Sequence, residues 1–338
     1  MGVPEGYRPM LEWALDLPGQ LRVGFRAARA AGLKPGRFAN VVVCGMGGSG
    51  MSGSIARSLL WDRAGQPILS CRDYDLPAAA GKDTLLVAIS YSGETEETLS
   101  AVSQARRRGC RTVAITSGGK LAAIARSARW PSVGVPGGLP PRAALGYLLG
   151  ACLGVLEGCG IARDLGRETT AAARLLERER SALSRSARSL ARALLGRLPF
   201  VYSTARSLDA VAERWRCQLN ENAKLVCHTS ELPELDHNEI VGLGGPELVA
   251  TNTELVVLAD RDTHPRTLAR VRETLFIARG SYHKAHLLTP AGRARLERML
   301  WLVGLGDLVS LELARLQGVD PRTIVRIDEL KRRLAQLK

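Results

Sequence analysis

The sequence predicts an α/β protein of two tandem doubly wound units, with mainly parallel sheets flanked by helices and a C-terminal helical tail. Three observations lead there. Short β-branched runs alternate with helical stretches from residue 39 onward, the spacing of a parallel sheet covered on both faces. The order of elements between 39 and 116 recurs between 200 and 288, which reads as a duplication kept in element order rather than in residue identity. A length of 338 residues suits two domains or one large duplicated one.

Taken in order, residues 1–38 are expected to form an N-terminal helical segment and 39–160 the first unit. Within that unit Ala39–Cys44 (ANVVVC) reads as a buried strand closed by a glycine turn, and Met51–Leu60 as the helix after it. Strands follow at Pro67–Cys71, Thr84–Ile89 and Arg111–Thr116, with a helix at Glu94–Arg108. That helix has Glu94, Glu96 and Glu97 at its start and Arg106, Arg107 and Arg108 at its end, matching the helix dipole. Residues 161–196 are polar and Arg/Ala-rich with periodic leucines, the pattern of a bridging amphipathic helix. The second unit, 197–315, repeats the order: strand Phe200–Thr204, helix Leu208–Leu219, strand Leu255–Ala259, helix 266–279 and strand His283–Leu288. Residues 316–338 complete the chain as a tail helix.

Composition excludes several classes. With 46% hydrophobic and 24% charged residues the chain is globular rather than disordered. Its net charge of +14 is almost all arginine, since only seven lysines are present. Aromatics are 4%, too few for a base-stacking surface, and no nucleic-acid-binding motif accompanies the charge. The basic residues read as solvated helix faces with a diffuse positive field that favours anionic substrates. MGVPEGYRPMLEW lacks a basic n-region and an apolar h-region, so no secretory signal is expected. Gly6, where Ser or Thr is required, rejects myristoylation. The longest apolar run, Ala143–Leu156, falls short of the ~20 residues of a membrane span. Its Gly146, Gly150 and Gly154 ladder predicts a buried helix packed closely on a neighbour, in its own chain or a partner's. Seven cysteines without a C-x-x-C pair predict free thiols in a reducing cytoplasm.

Two loops carry the chemistry. Gly45-Met46-Gly47-Gly48-Ser49-Gly50 matches G-x-G-x-x-G between a strand and a helix. It opens three readings: a dinucleotide site with Asp73 or Asp75 on the ribose, a plain tight turn, or a turn that lets backbone amides approach an anion. Ser90-Tyr91-Ser92-Gly93-Glu94-Thr95 ends the next central strand and opens a helix. One serine suffices for a helix cap; two serines and Thr95 around free amides suit a small phosphate monoester. A nicotinamide site leaves the serine loop without a purpose.

VVVCGMGGSGMSG followed by AISYSGETEET resembles the sugar isomerase (SIS) domain, whose loops of this kind hold a sugar phosphate. PPRAALGYLLG around Arg142, ERWRCQLNENAK around Glu221, LPELDHNEIVG around His237 and GVDP with IDELKRRL around Lys331 narrow the likeness. Together they resemble the bifunctional phosphoglucose/phosphomannose isomerases from about Met10 to the end. One departure is Glu94, where that branch more often has Asn and other SIS branches carry Glu.

The resemblance implies two tandem SIS-type subdomains and a metal-independent aldose–ketose isomerase of hexose 6-phosphates, working through a cis-enediolate with no cofactor. Gly47, Gly48, Ser49, Ser90, Ser92 and Thr95 would bind the phosphate. Glu221 would be the base, a role open to a shielded carboxylate; read alone, it is also a surface pair with Lys224, after a helix ending near Asn220. His237 would move the proton in ring opening, reaching the site from the second subunit of a homodimer; alone, it is a solvated loop residue. Arg142 would stabilise the enediolate, and Lys331 would share a proton with the ring oxygen or, alone, solvate a helix face. No cluster of metal ligands is seen, and His283 and His286, three apart on a strand, are expected on opposite faces. The rival is a non-catalytic sugar-phosphate-binding regulator, which has no need of Glu221, His237, Arg142 and Lys331 together.

Overall fold

The computed structural model describes residues 2–337. Helices α1 (Tyr7–Leu15) and α2 (Leu17–Arg29) precede β1 (Asn40–Cys44), α3 (Gly47–Leu59), β2 (Ile68–Cys71) and β3 (Thr84–Ile89). Then come α4 (Glu96–Arg108), β4 (Arg111–Thr116), α5 (Gly119–Ser127) and β5 (Ser132–Gly134). A single turn, Pro141–Ala143, leads into α6 (Leu145–Gly158), and α7 (Leu165–Leu194) runs on to the second half. That half comprises β6 (Leu198–Thr204), α8 (Asp209–Ala223), β7 (His228–Leu232), the short helices α9 (Glu239–Gly242) and α10 (Glu247–Asn252), and β8 (Thr253–Leu258). It closes with α11 (Pro265–Ile277), β9 (Lys284–Leu288), α12 (Arg295–Gln317) and α13 (Val325–Leu334).

Both sheets are parallel throughout, in the orders β2-β1-β3-β4-β5 and β7-β6-β8-β9. In each, the chain reverses direction across the sheet at its central pair, β1/β3 or β6/β8, which opens a crevice at the strand ends. The six residues of β3 are all buried, as a strand covered on both faces requires. Helices α2 and α6 pack so closely that a side chain at Gly24, Gly146, Gly150 or Gly154 would strike the facing helix, so the glycine ladder serves this chain's own core. Among the described residues no helix is long and apolar enough to cross a membrane, and all seven cysteines are free.

Several details differ from the sequence reading, beginning with α3, which starts at Gly47 and so takes in most of the glycine turn rather than starting at Met51. β5 and β7 go unannounced, because β5 has three residues and β7 (HTSEL) is a half-exposed edge strand without an apolar run. α4 starts at Glu96 with Thr95 in the cap position, so Glu94 lies outside its first turn. α8 continues to Ala223, which puts Glu221 inside the helix rather than after it. His283 precedes β9 and escapes its alternation: His283 Nδ1 and His286 Nε2 both meet the buried carboxylate of Glu254, at 2.8 and 2.6 Å.

The two halves join through equivalent helices. Arg57 and Ser58, at the end of α3, bond Asp209 at the start of α8, at 2.6 Å each. The two helices therefore run antiparallel, and the start of α3 lies beside the end of α8. That juxtaposition builds the site.

Candidate active site

The phosphate-type loops come first. In the glycine turn the amides of Ser49 and Gly50 bond back to Met46 O, leaving those of Gly47 and Gly48 at the mouth of α3. Gly47 adopts φ +49° with open space where a Cβ would stand. The serine loop is folded on its own hydroxyls: Ser90 Oγ accepts from Gly93 N at 3.1 Å and pairs with Thr95 Oγ1 at 2.9 Å. Ser90 is fully buried, whereas Ser92 is exposed with its Oγ accepting from Glu94 N at 3.2 Å. Ser49 Oγ accepts from Tyr91 N at 3.1 Å, so the two loops are one unit. Amides and hydroxyls at a helix N-terminus form an anion site without any cationic side chain.

Glu94 turns away from this unit. Its carboxylate accepts from Lys120 N at 2.9 Å and pairs with Lys120 Nζ at 3.0 Å, which holds it below the usual carboxylate range. It thus caps α5.

Arg142 links the loops to the second half. Gly48 lets the Pro141–Arg142 backbone come close, since a Cβ there would lie 2.7 Å from Pro141 O. Tyr91 OH donates to Pro136 O at 2.9 Å and accepts from Leu139 N at 3.1 Å, tying the serine loop to the segment before Arg142. The guanidinium, only 3% exposed, is almost wholly engaged. Nε donates to Asn222 Oδ1 at 2.8 Å, and Nη2 donates to Pro321 O and to Arg322 O. Nη1 faces Glu221 Oε2 at 3.4 Å. Burial pulls the Arg142 pKa down and the Glu221 charge offsets that.

Glu221 projects from the last turn of α8. Its neighbour Asn222 donates to Ser310 Oγ at 2.9 Å, and Arg214 one face earlier pairs doubly with buried Asp307, at 3.0 and 2.8 Å. Arg214 also donates to Arg142 O at 2.8 Å. Both Ser310 and Asp307 belong to α12, so that helix fixes the end of α8 and Arg142 together. Lys224 spans Glu221 O (2.5 Å) and Thr323 O (2.7 Å) instead of pairing with the Glu221 carboxylate. Burial, with the Arg142 charge beside it, lowers the Lys224 pKa. Between the end of α8 and residues 323–327 lies an open groove of about 520 Å³ into which Glu221 faces.

Within one chain the structure therefore gathers Gly47, Gly48, Ser49, Ser90, Ser92, Thr95, Arg142 and Glu221. Among the described residues, His237 and Lys331 make no hydrogen bond or ion pair with any of these. His237 is exposed at the end of the turn Glu234–His237. Lys331 is exposed on α13, a helix with no buried residue. Sequence reasoning missed Tyr91, Asn222, Arg214 and Asp307. Only the S-Y-S and N-E-N contexts hinted at the first two; the Arg214–Asp307 pair, 93 residues apart, carries no local signal. No group of three His, Cys, Asp or Glu side chains among the described residues is arranged to hold a metal ion.

A parallel sheet present twice, with the anion loops kept in only one copy, is the arrangement of a double-SIS sugar-phosphate protein. The SIS domain family matches residues 39–130, and the family described as bacterial phospho-glucose isomerase C-terminal SIS domain matches 183–334. The chain is 35% identical to the bifunctional phosphoglucose/phosphomannose isomerase of Caldicellulosiruptor bescii, over 97% of this chain and 100% of that protein. It is 37% identical to the protein of the same description from Aquifex aeolicus, over 88% and 91%. It belongs to the family of bifunctional phosphoglucose/phosphomannose isomerases. The fold is shared with tagatose-6-phosphate ketose/aldose isomerase from Escherichia coli, at TM-score 0.69, 17% identity and coverage of 94% and 96%.

Proposed function

We propose that the chain interconverts glucose 6-phosphate, and mannose 6-phosphate, with fructose 6-phosphate through a cis-enediolate, without a metal ion. The observation that carries this reading is the contact chain from the anion loops through Gly48, Pro141 and Arg142 to Glu221. A carboxylate reached by contacts from anion-type loops is what a proton transfer between C1 and C2 of a bound sugar phosphate needs, and this supports the reading.

In this mechanism the Gly47 and Gly48 amides, with Ser49, Ser90, Ser92 and Thr95, hold the phosphate dianion. Glu221 takes the proton from one carbon and returns it to the other. Arg142 Nη1, the guanidinium edge not bound to backbone, sits beside the carboxylate where enediolate charge develops. His237 moves the proton that opens the ring, and Lys331 shares one with the ring oxygen. Because both are exposed and unbonded to the residues above, we assign His237 to the partner protomer of a homodimer, with the tail carrying Lys331 folded over the site in the assembly. The division of labour assigns phosphate binding to residues 39–160 and acid–base chemistry to 197–315 and the tail.

A coupled assay with each aldose phosphate in excess EDTA tests the proposal. Turnover of both substrates is expected. Turnover of neither, with sugar phosphate still bound, would make the protein a sensor; loss with EDTA alone would overturn metal independence.

A further inference from the structure

His237 is exposed, yet the loop bearing it is held by an unusual number of polar contacts. On its N-terminal side Asp236, with a side chain only 6% exposed, accepts from Thr274 Oγ1 at 2.7 Å and pairs with Arg270 Nη1 at 3.1 Å, both on α11. On its C-terminal side Glu239 Oε1 meets His228 Nε2 at 2.8 Å and accepts from Tyr202 OH, residues of β7 and β6. Burial raises the Glu239 pKa, but the bonds from His228, Tyr202 and Ser230 outweigh it and hold the carboxyl at about 2. Leu235, fully buried beside Tyr202 and Leu232, pins the same turn from below.

An exposed loop needs none of this to be soluble, and desolvating two carboxylates is costly even when each is paired. What the arrangement secures is geometry: two acids, one and two residues from His237, are fastened to two different walls. Neither acid contacts the anion loops, Arg142 or Glu221.

We propose that Asp236 and Glu239 are positioning residues, a two-point clamp that fixes the direction in which His237 presents its imidazole. This rests on the reading of His237 as the ring-opening group. The clamp works through Thr274 and Arg270 on one side and Tyr202 and His228 on the other, and it acts on turnover rather than on phosphate binding.

The test is a set of isomerase kinetics with glucose 6-phosphate on Glu239→Gln, Asp236→Asn and Tyr202→Phe, each alone and combined with His237→Ala. Tyr202→Phe removes one hydroxyl and keeps the packing, so it remains informative if a carboxylate variant fails to fold. Each is expected to lower kcat about tenfold or more with KM within about threefold, and to add less than about twofold once His237 is alanine. Unchanged kcat in all three, or losses that multiply with that of His237→Ala, would overturn the clamp while leaving His237 in its role. Full activity in His237→Ala alone would overturn the reading of His237 and the clamp with it.

Discussion

The two halves share one frame and treat the same crevice in opposite ways. At the ends of β1 and β3 the first half presents neutral donors: the Gly47 and Gly48 amides and the Ser49, Ser90, Ser92 and Thr95 hydroxyls. At the ends of β6 and β8 the second half places Asp260, fully buried, against Arg298, which is equally buried, at 2.7 Å. Arg298 also binds Asp262 and donates to Arg293 O at 2.6 Å. His264 Nδ1 accepts from Arg266 N at 3.2 Å and so occupies the N-terminus of α11. A carboxylate and its resident guanidinium thus fill the place that corresponds to the neutral donors of the first half. On the proposed reading the second half keeps an internal ion pair where the first half holds the phosphate, and its acid–base group stands at the far end of α8.

If that division is right, the halves separate in kinetics. Glu221→Gln, isosteric and in the second half, is expected to lower kcat by ~10²–10⁴-fold while sugar phosphate still binds. Isomerase rates set beside equilibrium binding decide it; a loss below about tenfold would remove Glu221 from the role of base. Asp260→Asn probes the opposite claim about the same half. It leaves Arg298 buried beside a neutral partner and is expected to cost roughly 3–5 kcal/mol of stability, read from denaturant melts. KM should stay as it was, and a marked rise in KM would return the second crevice to substrate binding.

The first half should behave in reverse. Ser90→Ala combined with Ser92→Ala removes two hydroxyls from the anion loop and is expected to raise KM about ten- to a hundredfold, kcat falling less. On the proposed reading Ser92, the exposed member, meets the phosphate directly, whereas buried Ser90 acts by holding the loop through Gly93 and Thr95. Unchanged affinity for 6-phosphates in the double variant would refute the phosphate role of this loop.

How much of this is legible in the sequence follows from how local each signal is. β1, β3 and β4 each carry an uninterrupted apolar centre (Val41–Cys44, Leu85–Ile89 and Val113–Ile115), so their existence can be read directly. The glycine turn and the serine loop are contiguous hexapeptides and are equally plain. What stays hidden is made by distance. Asp307 and Ser310 sit in a helix that is buried along nearly all its length, and nothing in that stretch says that they orient Arg214 and Asn222. α8 overruns its expected end because Asn222 donates to Ser310 and Gln317 donates to Ala223 O, tertiary bonds that outweigh the preference of asparagine for helix ends. The pairing of His283 with His286 fails the alternation rule because the first lies one residue outside the strand. Resemblance to a family named Glu221 and Arg142 as candidates, but it is the packing of α3 on α8 together with the Arg214 and Asn222 bonds to Arg142 that brings these residues, 79 apart, into contact.

The smallest expected effect concerns Glu94, where the resemblance leads to an expectation of asparagine. An acid two residues from Ser92 suggests repulsion of a phosphate, and a first-half site built from neutral donors should then be weakened by it. The structure turns the carboxylate onto Lys120, where it caps α5 and stays ionised because that ammonium and amide hold its pKa down. Its charge is therefore largely offset where a substrate dianion approaches, and exposure to water screens what remains. Glu94→Gln is expected to change KM by less than about threefold. Because the depressed carboxyl does not titrate between about pH 6 and 9, that small change should be flat across the range. A tenfold gain in affinity for hexose 6-phosphate, growing as salt is lowered, would show that the carboxylate does face the phosphate. The first half would then share with the second the habit of keeping an acid at its strand ends.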